Sequence, residues 1–323
     1  MFQTLIGKST GEAAAYLNEG QIVGIPTETV YGLAGNGLDP VVVSKIFEAK
    51  NRPYFDPLIL HFRDLSAVEE CVYSFPVAAR KLAEKFWPGA LTLILPKNST
   101  VPDLVTAGSA GVAVRVPSHK LTLELLRKIS YPLAAPSANP FKYVSPTSAQ
   151  HVYDQLQTKI PYILDGGNSE IGIESTIVSF LDSIPRILRF GGIPTEEISK
   201  ICADTVIDIQ HAPYVHESPG QLEHHYSPNC ILRPLLSKEY ALESKKSVIL
   251  YFKKHSDRHE NESNYYLSET GDLREAAARL FSVLRELDAQ QIEKVYFEWL
   301  PDIGLGRAIN DRLKRASSVY IPL

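Results

Sequence analysis

A short polar segment that follows an apolar run contains residues well suited to binding an anion. Residues 133–136 predict the end of a buried strand, and Ser137 and Asn139 follow with one alanine between them. Ser145 and Pro146 then fit the N-cap and first position of a helix. A helix N-terminus beside a strand end offers free N–H donors, which favours an anion site. An ordinary strand, turn and capped helix fits the same residues.

Cations elsewhere in the chain are placed to meet such an anion. Lys50 and Arg52 come at the end of a helix predicted over residues 39–50, and Pro53 forces the chain to extend there. Arg115 lies in the apolar run VAVRVP. A buried guanidinium without a partner is costly, so we expect a carboxylate beside it, either from a ligand or from an internal acid.

The histidines and cysteines do not form a metal-binding pattern. His224 and His225 are adjacent, so their side chains point apart, and no carboxylate cluster accompanies them. Cys71, Cys202 and Cys230 are odd in number and include no CxxC pair. We therefore expect neither a disulfide framework nor a protein-ligated metal site, and we expect a cytoplasmic protein.

Composition describes a globular chain of about two domains. It has 323 residues, of which 44% are hydrophobic and 22% are charged. Its net charge of −4 attracts no polyanion globally, so any polyanion site must be local. No apolar run approaches the ~18 residues of a membrane span, and the N-terminus has no signal-peptide core.

Strands and helices alternate irregularly up to Ile209, which predicts an α/β domain with a mixed, twisted sheet. The helices are predicted at 11–19, 39–50, 76–86, 119–130 and from 145 onward. The strands are predicted at 21–25, 57–62, 91–95, 112–116, 133–136, 162–164 and 186–189, and residues 26–35 are predicted to be a loop.

The rest of the chain predicts a connector and a second, smaller domain. Residues 210–236 contain four prolines and no periodicity, which is typical of an extended connector. Residues 237–323 predict a small α/β domain, with strands at 247–252 and 294–299 and helices at 272–289 and 305–316. We therefore divide the chain at 1–209, 210–236 and 237–323.

Eight segments together resemble one known family. They are PTETVYGLA (26–34), KNRP (50–53), DPLILHF (56–62), WPGALTLIL (87–95), VAVRVP (112–117), APSANPFKYVSPT (135–147), IESTIV (173–178) and ILRFGG (187–192). In this order they resemble the threonylcarbamoyl-AMP synthase, or YrdC-like, family over roughly residues 10–205. The segments SPGQLEHHYSP and WLPDIGLGRAINDRLKRAS resemble the linker and C-terminal domain of its longer members. The resemblance implies a YrdC-like mixed, twisted sheet with a concave cleft, followed by a small Rossmann-like α/β domain.

The resemblance also implies an activity. Members of this family are nucleotidyltransferases that join L-threonine, bicarbonate and ATP into threonylcarbamoyl-AMP and release pyrophosphate, for tRNA modification. ATP would be a substrate, and Mg²⁺ would be its counter-ion. The resemblance implies no metal site formed by protein ligands. A tRNA threonylcarbamoyl-transfer complex would be the downstream partner, with weak RNA binding as an additional interaction and no membrane.

The resemblance assigns residues to both substrates. It implies threonine binding by Thr29, His61, Arg115, Ser137 and Ser175, and ATP binding by Lys50, Arg52, Asp56, Ser137, Asn139, Ser145, Arg189 and Tyr226. Asp56 departs from the asparagine common in the family, and a carboxylate near phosphates is unfavourable unless it faces ribose, magnesium or Lys50. Glu28 fits either a loop acid or a magnesium helper. The resemblance places the connector across the mouth of the cleft as a lid; the alternative is a plain tether.

Two other functions fit parts of the sequence. Similar domains occur in carbamoyltransferases that use carbamoyl phosphate, but nothing here resembles the acylphosphatase and zinc-finger modules found beside them. A cationic cleft could also bind an RNA backbone, but the net charge of −4 and the lack of a basic stripe interleaved with aromatic residues weigh against it.

Overall fold

The structure, a computed structural model, describes residues 2–208, 226–235, 246–254 and 264–317. The strands in these ranges are β1 (Leu5–Gly7), β2 (Val23–Ile25), β3 (Gly32–Asn36), β4 (Ile59–His61), β5 (Leu91–Pro96), β6 (Gly111–Arg115), β7 (Leu133–Ala134), β8 (Tyr162–Leu164), β9 (Thr176–Ser179), β10 (Arg186–Arg189), β11 (Val206–Ile207), β12 (Ile231–Pro234), β13 (Ser247–Lys253), β14 (Asn264–Ser268) and β15 (Lys294–Phe297). The helices are α1 (Thr10–Asn18), α2 (Pro40–Lys50), α3 (Leu65–Glu69), α4 (Val77–Phe86), α5 (Asp103–Thr106), α6 (Lys120–Arg127), α7 (Ala149–Leu156), α8 (Thr195–Ser199), α9 (Leu273–Ala289) and α10 (Leu305–Ala316).

The first part of the chain forms one large mixed sheet, as predicted. Its 11 strands run in the order β1-β8-β2-β3-β7-β4-β6-β5-β9-β10-β11. Parallel pairs such as β4–β6 and β5–β9 alternate with antiparallel pairs such as β2–β3 and β5–β6. The strands are short and apolar, and the largest core cluster buries their side chains against helices such as α2 and α4.

The pairing of three strands brings candidate residues together. In the parallel pair β4–β6, His61 lies directly opposite Arg115, and both are the last residues of their strands. Strand β7 pairs with β4 on its other side, and the chain beyond it returns to form an isolated bridge between Ser137 and Gly32. The pairing of the strands therefore brings segments that are distant in the chain next to one another.

Within the described ranges, the second sheet has four strands in the order β12-β15-β13-β14, and all of them are parallel. Helix α9 begins as predicted, because the Asp272 side chain accepts hydrogen bonds from the N–H groups of Arg274 (2.6 Å) and Glu275 (3.1 Å). Its apolar face, including Leu280 and Phe281, is buried. This agrees with the predicted Rossmann-like α/β domain.

The predicted helix start at Ser145 and Pro146 is wrong. Helix α7 begins at Ala149, and its N-cap is Ser148, whose hydroxyl accepts a hydrogen bond from the N–H of His151 (3.2 Å). Ser145 instead donates its hydroxyl proton to Glu174 at 2.6 Å, and the carbonyl of Pro146 accepts from the N–H of Tyr31 at 2.8 Å. These long-range partners hold the segment extended.

Six of the described strands lie outside the predicted set: β1, β3, β9, β11, β12 and β14. Residues 32–35 of the predicted loop, together with Asn36, form β3, which pairs antiparallel with β2. Strand β14 was not expected either. Within the predicted connector, residues 231–234 form β12, which tolerates Pro234 because it lies at the edge of its sheet. The second sheet thus begins inside the range 210–236, and residues 210–225 and 236 of that range lie outside the described residues.

Candidate functional site

A concave cleft is lined by residues of β4 and β6 and by the segment that follows β7. Its walls are formed by Thr27, Thr29, Val30, Gly32, Arg52, Ile59, His61, Arg115, Ala135, Pro136, Ser137, Glu174, Ser175, Arg189 and Tyr226. All five residues assigned to threonine by the sequence line it, and so do Arg52, Arg189 and Tyr226 from the ATP set. Lys50, Asp56, Asn139 and Ser145 are not among the residues that line it.

Arg115 is held in a fixed orientation by three protein groups. Its Nε donates to the carbonyl of Gly89 (3.0 Å), Nη1 donates to the hydroxyl of Thr29 (2.9 Å) and Nη2 donates to Glu28 (2.5 Å). The internal carboxylate partner is therefore present. Each terminal nitrogen of a guanidinium carries two N–H groups, and Arg115, which lines the cleft, uses one on each nitrogen in these bonds.

Glu28 is the buried partner of Arg115. One carboxylate oxygen accepts from Arg115, and the other accepts from the N–H of Ser118 at 3.1 Å. Burial by itself raises the pKa of Glu28, but the charge and hydrogen bonds of Arg115 outweigh it and hold that pKa below 4.5. Each carboxylate oxygen of Glu28 thus accepts a hydrogen bond from a protein donor, and the side chain is paired with Arg115.

Glu28→Gln should lower the free energy of unfolding by about 3 kcal/mol at pH 7, because it leaves Arg115 buried without a counter-charge. The pKa of Glu28 is lowered by folding, so its stabilisation is complete above pH 4.5 and is lost as the pH falls through the folded-state value. The difference between the variant and the wild type should therefore begin to shrink below that pH. Urea unfolding of both proteins measures the loss of stability at pH 7 and its decrease at pH 4.

The matched control is Glu69→Gln, which removes a solvent-exposed ion pair with Arg80. Surface pairs contribute less than about 1 kcal/mol. Equal losses of unfolding free energy in the Glu28 and Glu69 variants would show that the buried ion pair stabilises the fold no more than the exposed one.

His61 faces the cleft as a neutral imidazole. Burial, together with the charge of Arg115, lowers its pKa to about 3. Its Nδ1 lies 3.2 Å from the carbonyl oxygen of Ile59. At neutral pH it therefore offers hydrogen bonds and no charge to a ligand.

Lys50 joins two of the segments that the sequence singled out. Its Nζ donates to the carbonyl oxygens of Ser137 and Asn139, and the side chain is 1% exposed. Burial lowers the pKa of Lys50 well below its usual range, and the charge of Arg52 adds to this effect. The structure thus places Lys50 behind the cleft wall, where it holds the polar loop in place.

Arg52 reaches the cleft with Asp56 as its partner. An ion pair of 2.9 Å joins Arg52 Nη2 to the Asp56 carboxylate, and Nη2 also donates to the carbonyl of Pro57 at 2.8 Å. Asp56 therefore compensates a cation, which explains how a carboxylate is tolerated there. Asn139, like Lys50, supports the loop, since its side-chain amide donates to the carbonyls of Pro140 (2.9 Å) and Tyr143 (2.8 Å).

Arg189 and Ser175 form the opposite wall of the cleft. Arg189 donates through Nε to the carbonyl of Ser175 and through Nη2 to its hydroxyl, both at 3.0 Å. The hydroxyls of Ser175 and Thr92 lie 2.7 Å apart. Gly191 passes so close that a Cβ there would lie 2.3 Å from the carbonyl carbon of Ser175, so only glycine fits.

Tyr226 closes the cleft from the side of the second domain. It is 1% exposed, and its ring stacks on Phe281 of α9 at 5.5 Å between centroids with an interplanar angle of 20°. Its φ of 66° is left-handed, which is uncommon for a non-glycine residue and is maintained only by tight surroundings.

Two charged residues at this site were not predicted from the sequence. Glu174 lines the cleft between Ser175 and the Ser145 hydroxyl. Arg312 of α10 is completely buried and bonds to Glu174 at 3.1 Å. Glu174 and Arg312 each lie in a segment that resembles the family, but neither was assigned a role there.

Within the described ranges, no group of three or more His, Cys, Asp or Glu side chains is arranged to hold a metal ion. In the same ranges, none of the helices combines the length and apolar character that a membrane span requires.

Comparisons with known proteins cover both domains. A family profile named Sua5–YciO–YrdC and described as "telomere recombination" matches residues 15–191, and one described as "threonylcarbamoyl-AMP synthase, C-terminal domain" matches residues 193–318.

Individual relatives match nearly the whole chain. It is 38% identical to threonylcarbamoyl-AMP synthase of Pyrococcus abyssi over 96% of its own length and 94% of the relative's. The synthase of Bacillus subtilis is 38% identical over 95% of this chain and 92% of the relative's length. Among solved structures, the crystal structure of P. abyssi Sua5 complexed with L-threonine superposes with a TM-score of 0.88 at 35% identity, covering 98% of this chain and 97% of that one.

Proposed function

The chain belongs to the threonylcarbamoyl-AMP synthase family, and we propose that the cleft described above is where it joins L-threonine, bicarbonate and ATP into threonylcarbamoyl-AMP and pyrophosphate. In this proposal the enzyme is a cytoplasmic nucleotidyltransferase. The observation that carries it is the convergence of Arg52, Arg115 and Arg189 on one cleft in a chain whose net charge is −4. Such a local cluster of cations suits two anionic substrates held side by side.

We assign the threonine end of the cleft to Thr29, His61, Arg115, Ser137 and Ser175. The guanidinium of Arg115 has N–H groups on both terminal nitrogens left to bind a carboxylate in a forked geometry. His61 is neutral and so adds no second charge at the same place. The similar structure of P. abyssi Sua5 is a complex with L-threonine, which supports a threonine site in this fold.

We assign the ATP end to Arg52, Arg189 and Tyr226, with Ser137 between the two substrates. Lys50, Asp56, Asn139 and Ser145 belong to this end as supports: each bonds to a loop or side chain of the cleft wall. The catalytic demand is positioning and charge stabilisation, since a threonine carbamate attacks the α-phosphate and pyrophosphate leaves. No protein nucleophile is needed. Bicarbonate takes up a proton and loses water to give carbon dioxide, the neutral amine of threonine adds to it and releases a proton, and the site captures the resulting carbamate.

Magnesium would enter with ATP as a counter-ion of its phosphates. The nearby carboxylates do not fit a resident metal, because Glu28 and Asp56 already pair with Arg115 and Arg52. We therefore propose no protein ligand for Mg²⁺.

We make two further proposals, one on the partners of the enzyme and one on its division into domains. We propose that the product passes to a tRNA threonylcarbamoyl-transfer complex, with weak RNA binding as an additional interaction. We keep a catalytic domain ending near residue 209, and we assign β12 to the C-terminal domain because it pairs with β15.

Pyrophosphate release should require L-threonine, bicarbonate and ATP together. The measurement is incubation with labelled threonine, detection of the labelled adenylate and assay of pyrophosphate, with each substrate omitted in turn. Carbamoyl phosphate in place of bicarbonate is the matched control and should support no turnover. Turnover with carbamoyl phosphate but not with bicarbonate would identify a carbamoyltransferase instead.

A further inference from the structure

Arg312 extends from the C-terminal domain to the wall of the catalytic cleft. It lies on α10, is 0% exposed and donates through Nε to the carboxylate of Glu174 at 3.1 Å. Its Nη1 donates to Asp311 at 3.0 Å, while Nη2 has no hydrogen-bond partner among the described residues. An arginine is always charged, and burying one is costly, so its place beside Glu174 calls for an explanation.

The same guanidinium also contacts Tyr226. Its central carbon lies 5.3 Å from the centroid of the tyrosine ring, within the range of a cation–π contact. Phe281 stacks on Tyr226, so two residues of the C-terminal domain fix this ring. Tyr226 lines the cleft, and its left-handed φ needs that support.

Glu174 presents an electrostatic problem at the cleft. It lines the wall, and its second carboxylate oxygen accepts the hydroxyl proton of Ser145 at 2.6 Å. An isolated carboxylate there would repel a triphosphate. The ion pair with Arg312 offsets that charge from behind the wall.

We propose that Arg312 is a positioning residue through which the C-terminal domain completes the ATP end of the cleft. It neutralises Glu174 and holds Tyr226, and it touches neither substrate. This inference rests on the proposed function only in taking ATP as the ligand at that end. It gives the C-terminal domain a role in nucleotide binding.

Arg312→Met should raise the Kd for ATP about tenfold or more, because a buried carboxylate is left without its partner. Titration calorimetry with ATP measures this directly, and the KM values for ATP and threonine are measured alongside. The KM for threonine should change by less than about twofold, since its end of the cleft has no contact with Arg312.

Arg307→Met is the matched control. Arg307 lies on the same helix and also crosses to the catalytic domain, where it bonds to Thr195 (2.6 Å) and Glu196 (3.3 Å), neither of which lines the cleft. The Arg307→Met variant should bind ATP with a Kd within about twofold of the wild-type value. An equal loss in both variants would show that Arg312 is only an interdomain anchor.

A double variant isolates the charge effect. In Glu174→Gln/Arg312→Met, the uncompensated charge is gone, so the Kd for ATP should recover most of the loss seen in Arg312→Met. Arg312→Lys keeps a cation at the site and should bind ATP with an intermediate Kd; it also serves if the methionine variant fails to fold. An unchanged Kd in the methionine variant, or no recovery in the double variant, overturns the proposal.

The calorimetric readout separates this inference from the proposed function. A wild-type protein that binds ATP but forms no adenylate would refute the proposed reaction and still allow the Arg312 comparison. An active wild type with ATP binding insensitive to Arg312 would refute the inference alone.

Discussion

Arg115→Lys should raise the KM for L-threonine by about 10- to 100-fold and leave the KM for ATP nearly unchanged. A lysine ammonium cannot reproduce the two parallel hydrogen bonds that a guanidinium makes to a carboxylate. It also cannot keep the present bonds to Gly89, Thr29 and Glu28 at once, so the charge would shift within the site. Steady-state kinetics with each substrate varied in turn measure the effect.

Arg186→Lys is the control for this substitution. Arg186 is a half-buried residue at the start of β10 that pairs with Asp182 and Asp208, and none of the three lines the cleft. Both KM values should stay at the wild-type level. If Arg115→Lys instead weakens ATP binding and leaves the threonine dependence intact, the carboxylate fork is wrongly assigned.

The position of Arg115 shows what sequence alone could and could not predict. Its apolar setting in a strand was evident, and so was the strand that carries His61. Their adjacency was not, because it depends on the parallel pairing of β4 with β6 across more than fifty residues of chain. Local patterns predict the elements, whereas the register of distant strands sets the distances between side chains.

The segment around Ser145 shows a local signal overridden by long-range contacts. Ser145 and Pro146 have the residue types of a helix start, yet Glu174 takes the serine hydroxyl and α7 begins at Ala149. Ser148 offers an equally good cap three residues later. Sequence could not rank the two serines, because the competing partner lies 29 residues away.

Local sequence patterns could not predict the contacts between the domains. A helix with the composition of α10 is expected to expose its arginines, and Arg315 and Arg307 are indeed partly exposed. Arg312 is buried because α10 packs against the catalytic domain at Glu174. That docking is specified by the surfaces of two folded domains and not by the periodicity of one helix.

Tyr226→Ala should reduce kcat/KM for ATP by about 100-fold, since misplacing one wall of a catalytic site has losses of this order. The ring both lines the cleft and packs between Phe281 and Arg312, so its removal opens the site to water. Water would compete for the reactive adenylate. The ratio of AMP to threonylcarbamoyl-AMP formed should therefore rise together with the loss of rate.

Tyr226→Phe is the matched variant, because it keeps the stacked ring and removes only the hydroxyl. Burial raises the pKa of Tyr226 to about 12, so that hydroxyl remains protonated at neutral pH and brings no charge to the site. The phenylalanine variant should keep most of the activity and the wild-type product ratio. Alanine is preferred to glycine for the truncation, since glycine would also relax the left-handed backbone at this position. Wild-type kinetics and product ratio in a folded Tyr226→Ala protein would show that the ring merely lies beside the cleft and takes no part in closing it.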